Sequence, residues 1–279
     1  RLLQHSNAPL SNERGVPVLA KKILAGNHKM MQLQDILYSQ GFGTRRVCAG
    51  LVQQGWVEVL QSHLGDSPAQ CRDSTMAFAT EGLQLRVQGE WWPYQEKAYL
   101  MLHKPAGTEC SQKPSTYPSI YTLLPPPLRQ RPTKSAVQGV QAIGRLDQDT
   151  TGLILLSDDG QFIHRMSSPK KHVPKLYEVR LKHEASAEQV ERLLAGVVLD
   201  DDPVPVRAAA CHLVEATLLH LTLTEGKYHQ VKRMVAAVGN RVESLHRSMI
   251  GGLRLPSDLA PGQWRWLDER DLASLKPSS

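Results

Sequence analysis

The residues best placed to do chemistry in this chain are Gly144-Arg145-Leu146-Asp147, followed by Gln148-Asp149-Thr150-Thr151-Gly152 and the apolar run Leu153 to Leu156. One carboxylate stands two positions from a guanidinium, on a loop that enters a buried-looking strand. A nearby cation lowers a carboxylate's pKa from its free value of about 3.9, so Asp147 is expected to stay ionised at neutral pH, as a nucleophile or a base. No nucleotide-binding loop accompanies it. The four cysteines, Cys48, Cys71, Cys110 and Cys211, form no C-x-x-C pair and have no matching histidine spacing for zinc. They read as reduced structural thiols, and no metal is expected.

Other elements must hold that loop. Tyr99-Leu100-Met101-Leu102 reads as an apolar strand, with His103 to Gly107 as the turn after it. The proline-rich segment Leu123 to Pro132 is expected to be a surface connection, because proline fits neither a helix interior nor a central strand. Beyond Asp147, Tyr177, Val179 and Leu181 share one face of a strand, with Glu178 and Arg180 on the other. Ser186 to Gln189 makes a capping box for a helix carrying Val190, Leu193 and Leu194, ended by Gly196. Leu219, Leu221 and Leu223 alternate with His220, Thr222 and Thr224. After Gly226, Val231, Met234, Val235 and Val238 form a helical stripe stopped by Gly239. Strands interrupted by helices, without regular βα repetition, predict an α+β fold with a largely mixed sheet.

The 279 residues leave room for a large domain with a small companion, and a hydrophobic fraction of 41% supports a core. A formal charge of +6 favours a polyanionic partner. Two basic segments follow the Asp147 loop: six Lys or Arg against one acid between Gln161 and Lys182, and five against one between Gly226 and Arg247. Each segment alone is equally a solvated face. No apolar run approaches the ~18 to 20 residues of a membrane span. The first 30 residues lack the apolar core of a signal peptide, so a cytosolic protein is expected.

Residues 1–29 are polar and aperiodic, and are set aside as an extension, disordered or carried over from cloning. Leu33, Ile36 and Leu37 then supply a helical stripe that Gly41-Phe42-Gly43 breaks. Thr44 caps a second helix in which Val47 pairs with Leu51 and Cys48 with Val52, until Gly55 ends it. Trp56 to Val59 has strand character. Arg45 and Arg46 sit in the first turn of the second helix, where the macrodipole disfavours cations, so an outside anion explains them better than helix stability does.

This stretch resembles the S4 RNA-binding fold, through Leu33-Gln34-Asp35-Ile36-Leu37, Thr44-Arg45-Arg46 and Gly55-Trp56-Val57. The long polar stretch Gln61 to Thr80 departs from that fold's usual hairpin. The text from Gly144 to Gly160 resembles the catalytic signature of the RsuA family of ribosomal RNA pseudouridine synthases. Lys104-Pro105-x-Gly107, Lys175-x-Tyr177 and Glu225-Gly226-Lys227-x-x-Gln230-Val231-Lys232-Arg233-Met234 resemble that family's other motifs, in its order. Leu245-His246-Arg247, Ile250-Gly251 and Leu259-Ala260-Pro261-Gly262 further resemble the branch acting on small-subunit RNA.

The resemblance implies an S4-like domain at 30–93 and a catalytic domain at 94–279 with a mixed, mostly antiparallel sheet. It implies conversion of uridine to pseudouridine, which breaks the N1–C1′ bond, turns the base and joins C5 to C1′ with no net redox change, hence no cofactor. Asp147 attacks the nucleotide or stabilises charge at C1′, and both roles stay open. The uridine must leave its stack, with Tyr177 against its face and near the C5 proton. Lys232 corresponds to the basic residue that pairs with the aspartate, where arginine is common in the wider superfamily. Arg45, Arg46, Lys104, Arg145, Lys175, Gln230 and Arg233 are the implied RNA-binding residues. The implied partner is 16S ribosomal RNA in a small-subunit assembly intermediate, with large-subunit RNA second, bound by a monomer.

Two other readings use the same residues. Asp147-Gln148-Asp149-Thr150-Thr151 fits the D-x-D-x-T pattern of haloacid-dehalogenase-like phosphatases, which need Mg²⁺. Asp158-Asp159 follows only 11 residues later, too near for a distant metal-binding motif. The other reading is a non-catalytic RNA-binding protein in which the S4-like module acts alone.

Overall fold

The computed structural model describes residues 29–61, 67–133 and 137–275. The extension read at residues 1–29 lies outside them except for Lys29. The chain divides into two compact units, Arg1–Glu96 and Lys97–Ser279.

In the first unit, β1 (Met30–Gln32) leads into α1 (Leu33–Gln40), which buries Leu33, Ile36 and Leu37 completely. Gly41, in the left-handed region at φ 92°, closes that helix. Thr44 caps α2 (Arg45–Gln53) by accepting from the Val47 N–H at 3.3 Å. Of the two expected pairs only Cys48 with Val52 faces the core, and Val47 is exposed. Arg45 has an anion within the protein: its Nε donates to Asp35 at 2.8 Å, and its guanidinium lies 4.1 Å from the Tyr38 ring centre. The outside anion inferred for it from the helix dipole is therefore not required, whereas Arg46 is exposed with no ion pair among the described residues.

Strand β2 (Val57–Leu60) follows, then β3 (Ala69–Gln70), β4 (Ala77–Ala79), β5 (Gln84–Val87) and β6 (Glu90–Pro93). They form a sheet in the order β3-β2-β5-β6, and β4 pairs with β1. Val57 and Val59 face Val87 and Leu85 across the β2–β5 ladder, all four buried, as alternation requires. The stretch read as polar connection between Gln61 and Thr80 thus contains two short strands.

The second unit is built on one large sheet. Its strands are β7 (Tyr99–Lys104), β8 (Gln141–Ile143), β9 (Thr151–Ser157), β10 (Lys175–Leu181), the hairpin β11 (Val197–Leu199) with β12 (Asp202–Val206), β13 (Ala210–Glu215), β14 (Leu218–Leu223), β15 (Val242–Ile250), β16 (Leu253–Arg254) and β17 (Trp264–Trp266). The sheet order is β13-β14-β10-β15-β9-β7-β17, with β8 on β9 and β16 on β15. Only the β15–β9 pairing is parallel among the described strands, so the sheet is mixed and mostly antiparallel. Helices α3 (Pro126–Gln130), α4 (Gly160–Ser167), α5 (Ala187–Ala195), α6 (Gln230–Ala237) and α7 (Glu269–Ser274) complete the α+β unit. No described helix is long and apolar enough to cross a membrane.

Two expectations are corrected. His103 and Lys104 continue β7 rather than turning, because Lys104 pairs with Gly152 of β9. The proline-rich segment holds α3, since Pro126 occupies the start of the helix, where the missing N–H costs nothing. Its Leu128 is fully buried, and beside it the Arg131 Nε donates to Asp158 at 2.7 Å in an ion pair closed to solvent. The capping box at Ser186 forms as read, although Leu194 points outward.

Gly152 shows why the loop motif ends in glycine. Its φ is 110°, and a Cβ there would lie 2.3 Å from the Arg247 carbonyl oxygen of the parallel strand β15. Gly152→Ala is expected to destabilise the chain by on the order of 3 kcal/mol, through backbone overpacking and a conformation that L residues avoid. Denaturant unfolding of the purified variant measures this.

Candidate active site

The Asp147 loop is fixed from behind by a buried cation. Lys104, at the end of β7, has no exposed surface, and its Nζ donates to the carbonyls of Pro105 (3.1 Å), Gln148 (3.3 Å) and Thr150 (2.9 Å). The Gly107 N–H donates to the Gln148 carbonyl at 2.8 Å, and the Thr150 N–H to the Asp147 carbonyl at 3.1 Å. Burial lowers the Lys104 pKa, partly opposed by Cys110, Asp149 and Asp147. Lys104, which the resemblance implied for RNA binding, is thus fully buried and braces the loop.

The loop carries Asp147 to the wall of a cleft of about 190 Å³, lined also by Lys175, Tyr177, Glu225, His229, Lys232 and Arg247. An apolar cavity of about 150 Å³ is known to take benzene, so this cleft is large enough for a single-ring base. A wider groove of about 800 Å³ begins on the other side of Asp147 and is lined by Arg145, Tyr117 and Tyr228. Asp147 stands where the two meet.

The cation that touches Asp147 is Lys232, not Arg145. The first turn of α6 brings the Lys232 Nζ within 3.2 Å of Asp147 Oδ2, while it donates to both oxygens of Asp149 at 2.7 and 2.9 Å. Burial alone would lower the Lys232 pKa, and the two carboxylates outweigh it and raise it above the ordinary value. Asp149 responds in the opposite sense: burial raises its pKa, and the bond and charge of Lys232 carry it below normal. Arg145 is exposed and makes no ion pair among the described residues.

Tyr177 and Lys175 share one face of β10, so both side chains reach the cleft. Tyr177 is only 8% exposed. Lys175 donates to the Val173 carbonyl at 3.0 Å, and burial followed by the charge of Arg247 lowers its pKa to about 8. Gln230 and Arg233 are engaged within the protein rather than free for RNA. Gln230 is buried, donating to Glu225 at 2.7 Å and accepting from the Lys227 N–H at 2.8 Å. Arg233 pairs with Asp201 and donates to the Tyr228 carbonyl.

The sequence reading missed several residues here. His229 places Nε2 3.3 Å from Asp147 Oδ1, from a left-handed backbone conformation at φ 48°. Its signal was its place between Glu225-Gly226-Lys227 and Gln230, at a position the motif leaves open. Tyr228, 77% exposed, stacks on the His229 ring with centroids 3.7 Å apart. Arg247 and Thr150 line the cleft and are almost fully buried. Asp158 and Asp159, which the phosphatase reading would bring to the nucleophile, are engaged elsewhere. Asp158 holds Arg131 and the Ala98 N–H; Asp159 caps α4 and accepts from the Tyr99 hydroxyl. Among the described residues no group of three or more His, Cys, Asp or Glu could hold a metal ion.

Residues 98–237 match the family model for RNA pseudouridylate synthase. The chain belongs to the RNA pseudouridine synthase family. Among its curated relatives, ribosomal small subunit pseudouridine synthase A of Escherichia coli (strain K12) is 42% identical over 177 residues, covering 63% of this chain and 73% of that protein. An RNA pseudouridine synthase of Bacillus subtilis (strain 168) named YtzG, itself uncharacterised, is 38% identical over 246 residues, covering 87% of this chain and 97% of its own. A crystal structure of a pseudouridylate synthase superposes with a TM-score of 0.59 at 31% identity, covering 88% of this chain and all of that one. The cleft around Asp147 lies inside the segment shared with the family, except for the part that β15 contributes.

The cleft of this pseudouridine synthase carries charge at a cost that can be measured. Lys175 holds fewer protons folded than unfolded between about pH 8 and 10.5, so the native state gains stability as pH rises through that window. Lys175→Met is therefore expected to raise the thermal midpoint at pH 7, and the gain over wild type should shrink from pH 8 upward and vanish above 10.5. Thermal melts of both proteins across that range check the sign.

Proposed function

We propose that this pseudouridine synthase isomerises one uridine of 16S ribosomal RNA, with Asp147 as the acting carboxylate. The observation that carries the reading is the position of Asp147 at the mouth of a cleft of about 190 Å³, held by Lys232 at 3.2 Å and paired with Tyr177 on the cleft wall. The choice of small-subunit RNA is supported by the similarity to the small-subunit enzyme of Escherichia coli.

The chemistry follows from what each group can do. A uridine inside a stack cannot bring C1′ or its base to a carboxylate at a cleft mouth, so the nucleotide must be extruded and its base inserted. Tyr177 then lies against the base, and the Asp147 carboxylate lies at the ribose end. Asp147 acts on the nucleotide either as nucleophile or by supporting charge at C1′. The N1–C1′ bond breaks, the ring turns within the cleft, C5 bonds to C1′, and the C5 proton leaves. Lys232 keeps Asp147 oriented through these steps. The exposed Arg145 sits where a backbone phosphate of the flanking strand would pass.

The first unit is read as an S4-like RNA-binding module, supported by the motifs at Leu33 to Leu37 and Thr44 to Arg46. Of the two arginines in the Thr44 to Arg46 motif, Arg46 has no ion pair among the described residues and Arg45 is committed to Asp35. Arg46→Ala is expected to weaken binding uniformly across RNA sequences and to reduce the slope of log affinity against log salt by about 1. Filter binding at graded salt concentrations provides the comparison.

The reaction itself is tested by tritium release from 16S and 23S transcripts carrying 5-tritiated uridine, each naked and with bound ribosomal proteins. Wild type should release tritium from 16S RNA, and Asp147→Asn should bind that RNA normally while releasing none. Salt-sensitive binding without release from any transcript would return the chain to the reading of a non-catalytic RNA-binding protein. Release from 23S RNA alone would correct the substrate.

A further inference from the structure

The floor of the cleft carries positive charge for which no ion pair exists among the described residues. Arg247 is 3% exposed; its Nε donates to the Leu153 carbonyl at 2.8 Å, and its buried Nη2 meets no acceptor among the described residues. Lys175 lines the same cleft, with a single backbone carbonyl as its acceptor. Thr150, 1% exposed, lines it too and has a buried hydroxyl without a partner. Two carboxylates border the cleft, and both are engaged elsewhere: Asp147 with Lys232 and His229, Glu225 with Gln230. Burying a guanidinium beside an ammonium, with an N–H left unpaired, costs free energy in the empty protein.

Strand geometry directs this charge to the base. A bulge at Ser248 shifts the β10–β15 register, so that Tyr177 pairs with Arg247 instead of Ser248. Regular pairing would turn Arg247 to the opposite face of the sheet. With the bulge, Arg247 and Tyr177 stand directly opposite, with Cβ atoms about 4.5–5.5 Å apart by the ordinary spacing of such pairs. A base lying on Tyr177 would present its edge to Arg247. The phosphates of the same nucleotide flank the ribose, which Asp147 meets at the mouth.

We propose that Arg247, with Lys175 beside it, forms a subsite for the negative charge that the uracil ring takes on when it leaves the ribose. The inference rests on the uridine-isomerase reading above. When the N1–C1′ bond breaks, its electron pair stays with N1 and is shared with the ring oxygens. C1′ becomes electron-poor and is met by Asp147. The anion is consumed when C5 forms its bond to C1′, after which the C5 proton passes to solvent and N1 takes up a proton in its place, so no oxidant, reductant or co-reactant enters. A donor that gains its partner only as charge develops accelerates the step without tightening binding of the resting nucleotide. Arg247 is thereby a further catalytic residue, one that acts on the base while Asp147 acts on the sugar.

The test varies the leaving base. Short 16S-derived stem-loops carrying uridine or 5-fluorouridine at the target are reacted under single-turnover conditions, and loss of the N-linked nucleoside is read by chromatography after digestion. Fluorine already stabilises the departing anion. Arg247→Gln is expected to slow the uridine substrate by about 10²-fold and the fluorinated one distinctly less. Lys175→Gln should show the same pattern at smaller amplitude, and it carries the test if Arg247→Gln does not fold. Equal slowing of both substrates, or none, would overturn the proposal, because a structural role of either residue is blind to the leaving base. A third substrate with an uncharged methylphosphonate beside the target separates the alternative source of negative charge. If the Arg247→Gln defect persists there, the base anion stands; if it disappears, the subsite belongs to phosphate and the proposal fails. Wild-type inactivity on the unmodified stem-loop, with equal inactivity on whole 16S transcripts, would remove the uridine-isomerase reading itself, a different failure from that of an active wild type with an indifferent Arg247.

Discussion

Everything in the active site depends on an ammonium group that never meets solvent. Lys104 ties the carbonyls of Pro105, Gln148 and Thr150 to one point, and those carbonyls bracket Asp147, the carboxylate proposed to act. A loop has few backbone hydrogen bonds of its own, so an unbraced aspartate at its tip would sample many positions. The Gln148 and Pro105 carbonyls also accept from the Gly107 N–H and the Thr108 hydroxyl, so the ammonium's part is to draw all three carbonyls together and set the loop conformation. Gly152 completes the anchoring, since the close approach of the Arg247 backbone admits no side chain there.

That anchoring also explains the distribution of charge. Lys232, Lys175 and Arg247 line one small cleft, where the carboxylates, Asp147 and Glu225, are fewer than the cations. Such a field favours negative charge that arises inside the cleft, which is what the proposed reaction would place on the substrate. Lys175 reports the same excess, with a pKa lowered to about 8 by burial and by Arg247. Arg247 and Lys175 are thus cleft-lining groups held within the protein rather than part of a solvated basic face.

Local features of the site were legible because they depend on neighbours in sequence. The Asp147 loop, the alternation that brings Tyr177 to one face of β10, the capping box at Ser186 and the stripe of α6 all follow from periods of 2 or 3.6 residues. What escaped depends on contacts across the fold. The motif implied Lys104 for RNA binding, and its full burial beneath the loop depends on contacts that the motif does not carry. The bulge at Ser248 changes which face Arg247 occupies, and no local pattern announces it. His229 takes a left-handed conformation without being glycine, and Arg45 looked unpartnered only because Asp35 belongs to the preceding helix. Pro126 was read as a breaker although it stands at the start of α3, where proline is accepted.

The lysine at position 232 has a physical reason in Asp149. A guanidinium presents its donors in one plane and suits a single carboxylate gripped by two parallel bonds. Lys232 instead serves two carboxylates that diverge, at 3.2 Å for Asp147 and 2.7 Å for Asp149. An ammonium has three donors in separate directions and can reach both. Its tighter bonds go to Asp149, which leaves Asp147 oriented without being fully neutralised. The nearby His229 Nε2 lies 3.3 Å from the other oxygen of Asp147, so the carboxylate is steered from both sides. Lysine at this position is therefore matched to Asp149 as well as to Asp147, and the three side chains form one cluster.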